Sequence, residues 1–237
     1  MKRKMRLVTL VENSAGLRGG VLAEHGFSAY LEVGGFRLLF DAGQTYAASR
    51  NADLLGIDLA GVPIALSHGH YDHTGGLLNL LKSTGPVPIY AHPDVFSSRY
   101  TRRDGALRQI GIPFDRGDLE EMGAAFDLSR MAREISPGVW LTGEVPKTTE
   151  YEVVREDLLV VSEDGKIEVD PIADDQALAL VFKRGLFVIL GCAHSGMINT
   201  LLHAQRVTGV ERILGVAGGT HLGYGGEERR ELPYPKG

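Results

Sequence analysis

Short β-rich runs alternate with runs of helical spacing along most of the chain, and turn residues separate them. In the β-rich runs apolar residues alternate or cluster over a few positions, which is typical of half-buried and buried strands. Strands are predicted at 5–11, 61–67, 87–92, 138–145 and within 212–222, and hairpins at 27–43, 151–171 and 176–194, with turns at Gly34-Gly35, Asp164-Gly165 and Lys183-Arg184-Gly185. Helices are predicted at 45–56, 74–85 and 196–209, each with a glycine at its end.

This order of elements predicts a single α/β domain over residues 1–237, with sheets inside and helices outside. A chain of 237 residues, 43% of them hydrophobic, can bury a large core without disulfides. Residues 93–136 lack a strong period and are broken by glycine and proline, so we expect helices and irregular structure that cover one side of the domain. The chain ends in a polar stretch, 225–237.

Charge, cysteine content and hydropathy argue against several classes of protein. A net charge of −5 gives no attraction to nucleic acid or to an anionic membrane surface. The single cysteine, Cys192, cannot form an intrachain disulfide and fits a reducing compartment. The apolar run 7–11 is shorter than the roughly 7–15 residues of a signal-peptide core, and no run approaches the ~20 residues that span a bilayer. We therefore expect a cytoplasmic protein with a small-molecule substrate.

Three histidines and an aspartate crowd into the stretch SHGHYDHTGG: His68, His70, Asp72 and His73. The stretch follows an apolar strand, and a strand end holds ligands rigidly. In an extended run alternate side chains share a face, so His68, His70 and Asp72 can point together. The next residue, His73, points elsewhere unless the chain turns. Histidine and aspartate with an open position suit catalytic zinc or a similar divalent ion, which would also relieve the crowding of polar groups.

The motif HGHYDH has the HxHxDH form of the metallo-β-lactamase superfamily, and the chain resembles that family well beyond the motif. The run FRLLFDAGQ is similar to the family's strand that ends in Asp-x-Gly, and ALSHGHYDHTGGL is similar to its strand, ligand loop and helix. The resemblance covers about residues 7–222. It implies a four-layer αββα sandwich with metals at one edge between two sheets. It also implies that His68 and His70 bind one metal ion, and that Asp72 and His73 bind the other.

Later strand ends offer the further ligands that the resemblance implies. His194 and His221 each follow an apolar strand and are expected to bind metal. Most family members have a third histidine upstream of a bridging aspartate, but this chain has Asp174 and Asp175 at the first place and Cys192 at the second. Asp175 and Cys192 are therefore possible ligands for metal or substrate. His194, two residues after Cys192, competes with it for the bridging role.

Two further features concern substrate binding. His25 lies in a loop before a strand, where it could reach the site or remain a surface histidine. Arg99, Arg102 and Arg103 form a basic cluster that could bind a phosphate or form a solvated face.

The segments EHGFS, TGEVPKTTEYE, DDQAL, GCAHSGMINT and GGTHL resemble one subgroup of the family. It includes an archaeal enzyme of methanopterin biosynthesis, which condenses a dihydropterin with a ribofuranosylaminobenzene phosphate, and metal-dependent hydrolases. The resemblance implies a dinuclear metal-dependent hydrolase, or a related condensing enzyme, that uses a metal-bound hydroxide on a phosphorylated or pterin-like small molecule. Two divalent ions are expected, zinc first, with manganese or iron as alternatives. Asp72 would bind a metal ion and orient the nucleophile.

Three other functions remain open. A nuclease of the same fold is disfavoured by the negative net charge. A di-iron oxidoreductase is disfavoured because the flavin-linked members carry glutamate where this chain has His70. A non-catalytic binding protein would lose its metal without losing its function. No pattern in the sequence indicates an oligomeric state.

Overall fold

The computed structural model describes residues 4–16, 19–152, 155–162 and 164–221, so the polar stretch 225–237 lies outside the described residues. Its strands are β1 (Met5–Val11), β2 (Ser28–Val33), β3 (Phe36–Phe40), β4 (Ile64–Ala65), β5 (Val87–Ala91), β6 (Arg99–Arg103), β7 (Ala106–Gln109), β8 (Ala124–Leu128), β9 (Arg133–Ser136), β10 (Val139–Leu141), β11 (Leu158–Val161), β12 (Ile167–Val169), β13 (Leu178–Phe182), β14 (Gly185–Leu190) and β15 (Ile213–Gly218). Its helices are α1 (Ala47–Leu54), α2 (Tyr71–Thr74), α3 (Leu77–Thr84), α4 (Arg116–Glu121) and α5 (Met197–Thr208), with a 3₁₀ turn at Pro93–Phe96.

These strands form two large sheets and a smaller one. The first sheet has the order β1-β2-β3-β4-β5-β8, the second β15-β14-β13-β10-β9, and the small sheet β12-β11-β6-β7. Strands β3, β4, β5 and β8 are parallel to one another, as are β14 and β15. The carboxyl ends of parallel strands lie at one edge of their sheet, and ligands commonly bind there.

Apolar packing defines four layers. Side chains of both large sheets share the central core: Leu31, Val33, Leu38, Phe40, Ala65, Val139, Leu141, Leu178, Leu180 and Ile189. The outer face of the first sheet packs on α1 and α3, and the outer face of the second sheet packs on α5. This arrangement confirms the expected αββα sandwich. Within the described residues, every helix is too short or too polar to span a bilayer.

The strong local patterns predict their elements correctly. All three hairpins form at the expected turns, and α1, α3 and α5 lie within the predicted helical runs. Within the apolar run 61–67 only Ile64–Ala65 forms a strand, in the middle of the first sheet. The ladder ends there because the Ser67 amide donates to the Asp41 side chain, 2.6 Å away, instead of to a neighbouring strand.

The expectation for residues 93–136 is wrong in one respect. This segment contains four strands, β6 to β9, beside α4 and the 3₁₀ turn. All residues of β7 are exposed and β6 ends in two exposed arginines, so neither strand has the apolar alternation that marks a half-buried strand. Pairing decides these strands instead, since β6 pairs with the distant β11 and β7 pairs with β6.

Candidate metal centre

Candidate ligands meet at one edge of the sandwich, just beyond the carboxyl ends of parallel strands. Asp41 follows β3, and His68 follows β4 by three residues. On the second sheet Cys192 and His194 follow β14, and His221 follows β15. The two sheets therefore bring together side chains that are far apart in the sequence.

Three imidazole nitrogens converge at the centre of this edge. They belong to the first group of candidate ligands: His68, His70 and His194. His68 Nε2 lies 2.9 Å from His70 Nδ1, and His194 Nε2 lies 3.2 Å from each of these atoms. A neutral imidazole has one donor and one acceptor, so three such nitrogens cannot satisfy one another fully. Nitrogen ligands of a tetrahedral zinc ion, each about 2.0–2.1 Å from it, lie roughly 3.3 Å apart. The triangle therefore fits a single divalent ion.

Hydrogen bonds behind the ligands determine which nitrogen points into the site. The Ser67 hydroxyl donates to Asp41 Oδ2 at 2.7 Å, so its oxygen accepts the proton of His68 Nδ1 at 2.8 Å. His73 Nδ1 likewise donates to Asp41 Oδ2 at 2.6 Å. Each histidine thus directs its Nε2 towards the site, the arrangement that ligand histidines generally have. Asp41 and Ser67 support the candidate ligands, a role that the motif analysis missed.

Close packing makes this hydrogen-bonded support possible. Asp41 has a φ of 62°, a left-handed conformation that aspartate adopts more readily than most residues. A Cβ atom at Gly191 would lie 2.1 Å from Ser67 Oγ, so a side chain at that position would displace the Ser67 hydroxyl. Asp41 and Ser67 on the first sheet can therefore pack against the loop after β14 only with glycine at position 191.

A second group of candidate ligands surrounds Cys192. The ligand atoms of Asp72, His73 and Cys192 lie within 4.8 Å of one another, and His73 Nε2 is 3.0 Å from Cys192 Sγ. Cys192 also belongs to a group with His68 and His194 that meets the same limit. Its thiol therefore lies between the two sets of candidate ligands.

The chain turns at His73, whose side-chain direction the sequence analysis left open. Instead of continuing in an extended conformation, it forms the single helical turn α2 directly after His70. Asp72 Oδ2 and His73 Nε2 consequently lie 3.6 Å apart, although the residues are adjacent. The carbonyl of Asp72 also accepts a hydrogen bond from the Phe27 amide at 3.3 Å, which connects this turn to β2. The prediction that His68, His70 and Asp72 share an extended face is thus wrong, and a helical turn brings Asp72 and His73 together instead.

The loop after β14 carries His194 into the first group. Ala193 has a φ of 51°, and the amide of Ser195 donates to Asp175 Oδ2 at 2.7 Å. Burial raises the pKa of Asp175 to about 6. Asp175 belongs to neither ligand group, and its observed contact holds the loop. His194, and not Asp175, therefore lies beside His68 and His70.

His221 and His25 lie at the margins of the cluster. The His221 ring is 4.5 Å from the His194 ring, measured between centroids. His25 Nε2 is 3.4 Å from Asp72 Oδ2, and its side chain is half exposed. His25 thus stands at the entrance, between solvent and the second group.

The protonation of the two groups differs. Burial and the neighbouring charged side chains lower the pKa of His68, His70 and His194 well below the ordinary value. Burial also lowers the pKa of His73, but Cys192, Asp72 and Asp41 together outweigh this and raise it. Burial raises the pKa of the Cys192 thiol. The first group is thus neutral and ready to bind a cation, whereas the second must lose protons first.

A buried arginine supports the ligand loop from behind. Arg99 is 1% exposed, and its guanidinium donates to Asp170 and to both oxygens of Asp174 at 2.7 Å. Asp174 Oδ2 also accepts the amide of Gly69, the residue between His68 and His70, at 2.8 Å. The expectation that Arg99 belongs to a surface basic cluster is therefore wrong. No local pattern connects Arg99 with aspartates 71 and 75 positions away.

The four-layer fold and the cluster of imidazole, carboxylate and thiol groups at its edge define a protein of the metal-dependent αββα class. Residues 23–197 match the family described as the metallo-β-lactamase superfamily, and the chain belongs to that superfamily.

The chain is similar to one protein named as a synthase and to another described as a metal-dependent hydrolase. It is 31% identical over 229 residues to the 7,8-dihydropterin-6-methyl-4-(β-D-ribofuranosyl)-aminobenzene-5'-phosphate synthase of Methanocaldococcus jannaschii, a match that covers 92% of this chain and 78% of the relative. An uncharacterised protein of the same archaeon is 34% identical over 217 residues, covering 90% and 78%. A crystal structure described as a metal-dependent hydrolase of the β-lactamase superfamily is similar with a TM-score of 0.79 and 30% identity, covering 95% of this chain and 80% of the other.

Proposed function

We propose that the protein is a metal-dependent enzyme that binds two divalent ions and acts on a small molecule, as a hydrolase or as a related condensing enzyme. The observation that carries the proposal is the convergence of His68, His70 and His194 on one point, 2.9–3.2 Å apart, beside the Cys192 group. Buried nitrogens with lone pairs that face one another are unfavourable in an empty protein interior, and a cation relieves that cost.

The donor set fits two ions. His68, His70 and His194 would hold the first, and Asp72, His73 and His221 the second, with Cys192 placed to contact both. Nitrogen and sulfur ligands favour zinc, and the carboxylate leaves manganese or iron as alternatives. When bound, such ions lower the pKa of a coordinated water towards neutrality and polarise a carbonyl or phosphoryl oxygen.

Residues of the chain supply the remaining steps. The Asp72 carboxylate can orient a nucleophile and accept its proton at Oδ2, which lies 3.4 Å from His25 Nε2. The half-exposed His25 could then pass that proton to solvent. Behind them, Asp41 and Ser67 fix the imidazole rings and so preserve the geometry during turnover.

The names of the relatives support both reaction types in the proposal, hydrolysis and condensation. One carries the name of a synthase for a phosphorylated pterin compound and another that of a metal-dependent hydrolase. A phosphorylated or pterin-like small molecule is therefore the substrate class that we propose. The chain's net charge of −5 supports a small molecule over a nucleic acid.

Metal analysis of protein purified without added metal tests the proposal. We expect about two ions per chain in the wild type and fewer in His194→Ala and in Cys192→Ala. Asp53→Asn, an exposed change on α1, should keep both ions. A folded wild-type protein that binds no divalent ion would contradict the proposal.

Activity assays then separate the reaction types. Phosphate esters and a dihydropterin substrate should be turned over by the metal-loaded protein and not by His194→Ala. Rapid cleavage of single-stranded RNA would favour the nuclease instead. Oxygen consumption with iron as the sole native metal would favour the oxidoreductase.

A further inference from the structure

The hairpin of β6 and β7 is fixed against the turn that carries the second ligand group. Gly111, two residues after β7, forms an isolated β-bridge with His70. The amide of Tyr71 donates to the carbonyl of Ile110 at 2.9 Å, and the Tyr71 side chain packs against the apolar cluster that contains Ile110. These contacts hold the end of β7 directly beside α2.

A row of three side chains leads from this hairpin to the second group. The guanidinium carbon of Arg108 lies over the Tyr71 ring, 5.9 Å from its centroid. The centroid of the Tyr71 ring is in turn 6.5 Å from that of His25, and His25 Nε2 is 3.4 Å from Asp72 Oδ2. Arg108 is exposed and His25 is half exposed, so the row lies at the entrance to the metal centre.

Strand register adds a second arginine to the face of the hairpin that carries Arg108. Arg103 lies opposite Ala106, and Thr101 lies opposite Arg108. Opposed residues share a face, as do residues two positions apart, so Arg103 is the diagonal neighbour of Arg108. Such neighbours are about 7–8 Å apart, which long side chains can span. By the same alternation Arg102 lies on the opposite face.

The two arginines on this face lack a countercharge. Among the described residues, neither Arg103 nor Arg108 has a carboxylate partner, whereas the buried Arg99 is paired with two aspartates. Two guanidinium groups on one face repel each other, and a doubly charged anion between them would remove that repulsion. A phosphate monoester carries about −1.5 to −2 charges at pH 7, and its oxygens accept paired hydrogen bonds from guanidinium groups. The pair therefore matches a phosphate group in charge and in hydrogen bonding.

We propose that Arg103 and Arg108 bind a phosphate group of the substrate at the entrance to the metal centre. The inference rests on the proposed function, because the metal centre defines the end of the substrate that reacts. Since the rings of Tyr71 and His25 separate Arg108 from Asp72, this phosphate is remote from the reacting bond. The two arginines are then specificity residues that select substrates with a phosphate at the far end.

Titration calorimetry of the zinc-loaded protein with ribose 5-phosphate and with ribose tests this assignment, because the two probes differ only in the phosphate. We expect ribose 5-phosphate to bind more tightly, and Arg108→Met and Arg103→Met each to weaken its binding about 10-fold. Arg108→Lys keeps the charge without the planar fork and should recover part of the loss. Arg102→Met, an exposed change on the opposite face of the same hairpin, is the matched control and should bind like the wild type.

Metal content measured on the same samples separates this inference from the proposed function. Arg108→Met should keep the wild-type number of ions, since Arg108 is not a candidate ligand. Unchanged affinity for ribose 5-phosphate in a fully loaded Arg108→Met protein would overturn the inference alone, as would an equal loss in Arg102→Met. A wild type that binds both probes alike would overturn it too, whereas a wild type without metal would overturn the proposed function.

Discussion

The protonation state of each candidate ligand determines whether it can bind a cation. Ser67 accepts the Nδ1 proton of His68 and Asp41 that of His73, so both rings direct Nε2 towards the site. The first group is already neutral at pH 7, because burial lowers the pKa of its histidines. His73 and the Cys192 thiol hold protons there, because the pKa of each is raised.

Metal uptake should therefore depend on pH more strongly at the second group than at the first. The second group must lose protons before it binds, so its affinity should rise with pH through the neutral range. Titration calorimetry in buffers with different ionisation enthalpies measures the protons released for each ion. Cys192→Ala should release fewer protons, and equal release at both positions in the wild type would contradict this expectation.

Asp41 should tune metal affinity without touching a metal ion. Asp41→Asn removes the negative acceptor that fixes His73, and we expect affinity at the second group to fall about 10- to 100-fold. Competition with a chromophoric chelator measures the change. Asp53→Asn removes a carboxylate on the exposed side of α1 and should leave affinity unchanged; an equal effect of both variants would argue against the role of Asp41.

At the scale of elements, the ligand loop depends on a buried ion pair that spans two parts of the chain. Arg99 on β6 donates to Asp170 and Asp174, and Asp174 holds the Gly69 amide between two candidate ligands. Burial raises the pKa of Asp174, while the charge of Arg99 acts in the opposite direction. Removal of Arg99 would leave the buried Asp170 and Asp174 without their guanidinium partner.

Arg99→Met should therefore destabilise the fold strongly. Breaking a buried pair costs about 3–5 kcal/mol, because it leaves an uncompensated charge. Urea unfolding of the metal-free protein measures this loss and excludes the contribution of bound ions. Arg102→Met, three residues along β6 and exposed, should change stability by less than about 0.5 kcal/mol. Similar unfolding midpoints for the two variants would show that the network does not stabilise the fold.

At the scale of the whole molecule, the proposed metal ions would join the two sheets. Ligands from the first sheet, such as His70, meet His194 from the second across 124 positions of sequence. An ion bound only to the folded state stabilises it by about 2.7 kcal/mol when its concentration is a hundred times the dissociation constant.

Removal of metal by a chelator should therefore lower the melting temperature. Thermal unfolding of metal-loaded and chelator-treated protein measures the difference, which re-addition of zinc should reverse. His194→Ala, which lacks a ligand from the second sheet, should show a smaller difference. An identical melting temperature with and without metal would contradict this coupling of the sheets.

The sequence by itself determined the family, most of the elements and most of the candidate ligands. The motif His68 to His73 is local. His194 and His221 each follow a strand that the apolar pattern of the sequence predicts. Hairpins and helices were also predictable, because turn residues and hydrophobic period are short-range properties. Strands β6 and β7 were not, since exposed and charged strands lack that period.

Only the tertiary structure decided which candidate ligands lie together and which residues support them. It placed His194 with His68 and His70, set Cys192 between the groups, and turned Asp175 towards the Ser195 amide. It also buried Arg99, which the sequence grouped with exposed arginines. These arrangements depend on the pairing of strands and the packing of two sheets, which bring distant residues together and leave no periodic trace in the sequence.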